Sequence, residues 1–217
     1  EGSGYWIGRA ALRAVLRENG VSPEALSMAA VCSVVPDVVH ALRNCFLKYF
    51  RFEPFFLHAG AKTGLNVRYR NPHEVGADKI ANAMGAIARF PGRNLLIVDF
   101  GTATTVCAVS QAKEYLGGII TLGIHASMAA LEGNTARLPV VELVRPGEVL
   151  GRSTVESIQS GLYYGTLATV RWLIASVSGE HFAKDKPVVV GTGGYGRLFE
   201  EERLFDAFLP ELPLMGL

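Results

Sequence analysis

Three apolar stretches follow one another with almost no chain between them: LLIVDF (Leu95–Phe100), TTVCAVS (Thr104–Ser110) and EYLGGIITLG (Glu114–Gly123). Links this short leave no room for a parallel crossover, which takes a dozen residues or so, and the three read as a β-meander. Two helical stretches and one more strand complete this half of the chain. The longest helix is predicted to begin at Ser153, where Ser153 and Glu156 have capping-box spacing, and to run to about Ser178. Gly161 and Gly165 lie one turn apart on it, a spacing that suits either packing inside the chain or contact with a second copy.

Pro91-Gly92 punctuates the sequence before the meander and divides it into residues 1–91 and 92–217. In the first part, Arg9–Asn19 reads as an amphipathic helix closed by Gly20, and Met28–Val35 as a strand. Pro36 suits the first turn of a second helix, with Val38, Val39, Leu42, Cys45 and Phe46 as its buried stripe. Phe55–Ala59 reads as a short strand. A third helix is predicted from Gly76 to Arg89 with Ile80, Ala83, Met84 and Ile87 facing inward. The class is α/β.

Composition removes several classes of function. The 21 basic and 20 acidic residues are interspersed, so no polybasic field exists for nucleic acid or an anionic membrane. No apolar run approaches the roughly 20 residues that span a bilayer, and EGSGYWIG has neither the basic nor the apolar region of an export signal. Cys32, Cys45 and Cys107 are far apart and read as three reduced, buried thiols, which points to a cytoplasmic protein. There is no G-x-S-x-G, no H-E-x-x-H and no histidine cluster.

Two glycine-rich stretches imitate nucleotide motifs. Gly191, Gly193 and Gly196 fit G-x-G-x-x-G after the apolar run of KPVVVGTGGYGRL, but the chain then runs into FLPELPLMGL, with two prolines where a central strand would have to be. A dinucleotide reading is rejected, and a nucleotide base or sugar against Thr192–Gly194 stays open. Gly60–Thr63 has the Lys-Thr of a Walker A loop without its spacing and reads as a surface turn.

VDFGTATT (Val98–Thr105) carries more. Asp99 ends an apolar strand, and Gly101 with Thr102 turns the chain, so backbone N–H groups and hydroxyls could meet a phosphate while the carboxylate holds a cation. A strand-end aspartate also serves as an Asx-turn residue, and the residues alone leave both readings open. Asp78, in NPHEVGADKIANAMGA, falls in the first turn of a helix. It suits either a charge that complements the helix dipole or a general base beside a phosphate site.

Taken in order, Tyr69, GADK and IANA (residues 76–83), VDFGTATT, YLGG (115–118), GNTARLP (133–139), SGLYYG (160–165) and TGG (192–194) resemble the type III pantothenate kinases, in the superfamily of acetate and sugar kinases, heat-shock chaperones and actin. The resemblance implies two duplicated ribonuclease-H-like domains, the actin-like ATPase fold, with the first domain incomplete in this chain. It implies ATP-dependent phosphorylation of pantothenate, the first step toward coenzyme A, with magnesium and a monovalent cation, potassium or ammonium. Asp78 would be the base and Asp99 would hold the monovalent cation. Gly101 and Thr102 would contact ATP. Tyr69, Gly76, Ala77, Asp78, Lys79 and Thr135 would line a pantothenate pocket shared across a homodimer. The alternative within the same resemblance is a non-catalytic relative acting as a transcriptional regulator.

Three departures accompany the resemblance. Lys79 stands where the family usually has arginine, which keeps the charge and loses the planar fork. Leu122-Gly123 replaces a common Pro-Gly. The family's opening Asp-x-Gly-Asn-Thr phosphate loop has no counterpart in residues 1–30, so residues are expected to be missing before Glu1 and near the Gly8-Arg9 junction.

Overall fold

A computed structural model of the chain describes residues 16, 18–33, 35–134, 139 and 141–217. The helix expected over Arg9–Asn19 and the Gly8-Arg9 junction lie largely or wholly outside these residues. The C-terminal end of that helix is described: Gly20 has φ +72° and Val21 N–H donates to Leu16 O at 2.8 Å, as a glycine cap requires.

The meander forms as expected. β4 (Leu95–Phe100), β5 (Ala103–Val109) and β6 (Glu114–Leu122) are antiparallel neighbours, with Asp99 opposite Thr105 and Cys107 opposite Gly118. A two-residue turn, Gly101-Thr102, joins the first pair. β7 (Val188–Thr192) then pairs parallel with β4 on its other edge, and β8 (Ala207–Phe208) parallel with β7. Taking the meander strands as one to three, the order of these five is 3-2-1-4-5, the ribonuclease-H-like arrangement of the actin-like ATPase fold. β3 (Asn66–Val67) adds a sixth strand, parallel to β6.

The strands of the first part are shorter than the sequence suggests. Met28–Val35 contracts to β1 (Ala30–Val31) and Phe55–Ala59 to β2 (Phe55–Phe56), and the two pair with each other in parallel. α1 (Pro36–Tyr49) starts where Pro36 predicts. Its stripe is narrower than periodicity gives: Cys45 and Phe46 are buried, Val39 and Leu42 are half-buried, and Val38 is 45% exposed. Cys32 is half-buried rather than buried, and none of the three cysteines is in a disulfide.

Side-chain alternation along β4 divides the core in two. Leu95 and Ile97 face one layer with Cys107, Val109, Tyr115, Val188 and Val190, covered by α2 (Ala77–Arg89) and the short α5 (Leu212–Met215). Leu96, Val98 and Phe100 face the other, covered by α4 (Thr154–His181), while α3 (Ile124–Asn134) packs between α4 and β5. α4 begins at the predicted cap. Ser153 Oγ accepts the Glu156 N–H at 3.2 Å, but the Glu156 carboxylate takes Arg152 N–H at 2.7 Å, so the box closes one residue early. Among the described residues nothing stands within 4 Å of a Cβ placed on Gly161 or Gly165, so neither packs against another described part of the chain. Among the described residues no helix is long and apolar enough to cross a membrane.

Candidate active site

α2 is built to lie close to the sheet while carrying charge at its start. Ala77, Ala81, Ala83 and Ala86 are all buried, so its backbone can approach β4 and β5 with little side chain between. Gly76 is the cap residue in extended conformation and makes no side-chain bond, which leaves Asp78 in the first turn as the anionic group at the helix N-terminus. The Asp78 carboxylate folds back over Gly76, and a Cβ there would collide with it. Lys79 Nζ lies 3.5 Å from Asp78 Oδ2, with the lysine side chain 20% exposed and the aspartate 41%. Asp78 Oδ1 is buried with no hydrogen-bond partner among the described residues.

One turn further along α2, Asn82 is 3% exposed and donates from Nδ2 to Asp99 Oδ2 at 2.9 Å. Asp99 is the last residue of β4 on the face that α2 covers, with Phe100 between it and the Gly101-Thr102 turn. Burial pushes its carboxyl above its ordinary value. The Asn82 hydrogen bond opposes the rise, the nearby Asp78 charge adds to it, and Lys79 counters it. Asp78, Lys79, Asn82 and Asp99 are therefore one electrostatic unit drawn from two elements.

The other Asp99 oxygen, Oδ1, points between two glycine turns. A Cβ on Gly101 would stand 3.4 Å from it, and one on Gly193 only 2.5 Å away. Gly193 has φ +89°, and its Cβ would also meet the Phe100 backbone at 2.6 Å, so this position demands glycine twice over. The Thr192–Gly194 turn thus serves to close on the Asp99 turn, and Thr192 is the register partner of Asp99 across β7 and β4. Thr192 Oγ1 and Asn82 Oδ1 are buried on this face with no partner among the described residues, whereas Thr104 Oγ1, likewise without one, lies on the other face opposite Phe100. Two such oxygens beside one carboxylate are costly unless a donor or cation joins them.

The remaining predicted residues fall around this centre. Thr102 is exposed at the tip of the β4–β5 turn and Gly101 is half-buried beside Asp99. Tyr69 is half-buried, its ring 6.2 Å from that of Tyr115, whose hydroxyl donates to Cys107 Sγ at 3.1 Å. Thr135 lies outside the described residues. Asn82 is the residue that sequence reasoning missed. Its signal was available, since it is a polar residue four positions after Asp78 on a helix face otherwise made of alanine and isoleucine.

Two kinds of comparison bear on what this centre does. The family model described as type III pantothenate kinase matches residues 8–176. The chain belongs to the type III pantothenate kinases. A type III pantothenate kinase of Legionella pneumophila (strain Corby) is 52% identical over 206 residues, 95% of this chain and 80% of the relative. One of Elusimicrobium minutum (strain Pei191) is 46% identical over the same shares, and type III pantothenate kinase 1 of Francisella tularensis subsp. holarctica (strain OSU18) is 42% identical over 89% of this chain and 76% of its own length. Among solved structures, a conserved putative Baf family transcriptional activator from Campylobacter jejuni superposes with a TM-score of 0.59 at 20% identity, covering 89% of this chain and 82% of that one. That likeness shows the fold alone and does not favour a regulator. The chain is a kinase that uses ATP to phosphorylate pantothenate in coenzyme A biosynthesis.

Proposed function

We propose that in this kinase Asp78 is the general base for the pantothenate hydroxyl and Asp99 the group that holds a monovalent cation, potassium or ammonium, beside the phosphates. The observation that carries this reading is the pairing of α2 with the end of β4: one helix turn sets Asp78 and Asn82, and Asn82 binds Asp99. Asp78 takes the hydroxyl proton through a carboxylate oxygen as the substrate oxygen attacks the γ-phosphorus. The bond from that phosphorus to the bridging oxygen breaks and ADP leaves. Phosphoryl transfer asks mainly for in-line placement and charge neutralisation, and needs no covalent intermediate.

The chain's own residues suit the ions that this reading calls for. Asp99 Oδ1, aimed between Gly101 and Gly193, and the unpaired Thr192 hydroxyl offer oxygen donors to a monovalent cation. Magnesium, bound with ATP, would supply neutralisation of the β- and γ-phosphate charge. Gly101 and Thr102 would contact ATP from the exposed turn. Tyr69, Gly76, Ala77, Lys79 and Thr135 would line the pantothenate pocket, with Lys79 a point charge for the substrate carboxylate. Residues 1–91 and 92–217 would be the two domains of the fold. A cytoplasmic homodimer sharing the site completes the reading. Its support is the outward stripe of α4, where Gly161, Gly165 and Ala168 lead to Trp172, 67% exposed.

ADP release with ATP, magnesium and pantothenate, in potassium or in sodium, tests the assignment. Turnover is expected to require pantothenate, to rise in potassium, and to fall about 10²–10⁴-fold in Asp78→Asn with the fold intact. Undiminished turnover in that variant would remove Asp78 as the base.

A further inference from the structure

We propose that Asn82 is a positioning residue of the phosphoryl-transfer centre, and that its amide decides which oxygen of Asp99 is presented to the cation and phosphates. The inference rests on the reading of Asp99 as the cation-holding group, and it assigns a role to a residue that does not itself touch the reacting atoms.

The argument begins with the two oxygens of Asp99. Oδ2 is occupied by the Asn82 Nδ2 donor at 2.9 Å, and Oδ1 faces the gap between Gly101 and Gly193. A carboxylate at a strand end can rotate about its Cβ–Cγ bond, a broad torsion with little preference of its own. The amide removes that freedom by binding one oxygen from the side, so the other is held toward the glycine turns. Burial makes the constraint firm: Asn82 is 3% exposed, and leaving its N–H unpaired there would cost the desolvation of a polar group.

The helix makes the same residue a spacer. Asp78 and Asn82 are four positions apart on α2, hence neighbours on one face about 6 Å apart along its axis. Anchoring Asn82 to Asp99 therefore sets how far the base at Asp78 stands from the carboxylate that faces the phosphates. The Lys79 ammonium, 3.5 Å from Asp78, belongs to the base side of this spacing. Asn82 Oδ1 and Asp78 Oδ1, both buried and without a partner among the described residues, give the same face two oxygens able to accept from a donor or bind a cation. An apolar residue at position 82 would pack on the sheet equally well and would do none of this.

The test uses the full-length protein as wild type, Asn82→Ala and Asn82→Asp. Thermal unfolding is followed against potassium chloride with sodium chloride holding ionic strength constant, alongside kcat and KM for pantothenate. In wild type the Tm is expected to rise with potassium. Asn82→Ala should move the potassium midpoint at least about tenfold upward and lower kcat about 10–100-fold, as loss of a partner that orients a ligand does, with KM for pantothenate within about twofold. Asn82→Asp keeps the size but replaces the donor with a like charge. It should lose kcat in the same way and lean more heavily on potassium for its stability. A lower Tm at every potassium concentration, with midpoint and kcat unchanged in both variants, would make Asn82 merely structural and overturn the proposal. A wild type whose Tm ignores potassium would overturn it together with the role of Asp99. A wild type that responds to potassium but does not turn over pantothenate would instead count against the functional reading, while the midpoints of the variants still decide the role of Asn82.

Discussion

The two faces of the central sheet share a strand and differ in how that strand ends. On the face under α2, β4 reads Leu95, Ile97, Asp99; on the face under α4 it reads Leu96, Val98, Phe100. Asp99 meets the Asn82 amide and the Gly193 turn, and beside it lies the Thr192 hydroxyl, without a partner among the described residues. Phe100 meets Phe199 at a ring separation of 5.0 Å, and Phe199 stacks in turn on Tyr163 at 5.0 Å. The coverings differ accordingly. α4 spans 28 residues and is closed over its face by aromatic and branched side chains, whereas α2 spans 13 and closes with alanines. One face is spent on stability and the other leaves its polar end unsatisfied, which is how a fold can carry a reactive centre without losing its core.

The sharpest way to separate the faces is to empty the aromatic one. Phe199→Ala removes a fully buried ring between two others and is expected to destabilise the fold by about 3–5 kcal/mol. Denaturant unfolding would measure this, while kcat of the protein that remains folded stays near wild type. An equal loss of kcat would mean that the faces are not independent. On the other face, Gly193→Ala forces a side chain into a left-handed position against Asp99 and the Phe100 backbone, at a cost of about 1–3 kcal/mol. Its signature is a loss of turnover larger than its loss of stability.

Asp99→Asn should have the opposite sign on stability. Burial raises the Asp99 pKa, so the folded state holds that proton more tightly than the unfolded chain does. The contribution of this group is best at acid pH, declines as pH rises through the raised value, and is unfavourable at neutrality. The neutral amide is therefore expected to raise Tm at pH 7 while abolishing the potassium response, as differential scanning fluorimetry would show. The smallest effect belongs to Tyr163, whose phenol is pushed up to about 12 by burial and by the Glu202 carboxylate 3.0 Å away. Its stabilisation is complete below about pH 10, the ordinary tyrosine value, and is lost as pH rises toward about 12. Tyr163→Phe should flatten alkaline unfolding in that window and leave turnover at neutral pH unchanged.

Legibility in the sequence followed the range of the interactions. The meander, the start of α2 after Gly76, the proline at the head of α1 and the cap at Ser153 are local, set by alternation, capping and backbone restriction within a few residues. β1 and β2 were read too long because their extent depends on each other across the chain, and Val38 was read as buried because periodicity alone cannot say how wide a face its partner covers. The candidate site was legible as separate motifs. Asp78 and Asp99 stood out because they sit in the matched motifs GADK and VDFGTATT, while Asn82, though visibly polar on an apolar helix face, had no visible partner, since Asp99 lies 17 positions further along the chain.

The order of the motifs by itself determined the family, and with it the reaction, since a run of matched segments is far more specific than any one of them. Alternation along β4 also determined that Asp99 and Phe100 must face opposite ways, because successive side chains of a strand point to opposite sides. Only the tertiary structure decided what each would meet there. The Asn82 amide reaches Asp99 across 17 positions of chain, and Gly193 reaches it through the parallel pairing of β7 with β4. Neither contact is written in local sequence, because hydrogen bonds and close backbone approach between distant segments exist only after burial of the two apolar layers has brought those segments together.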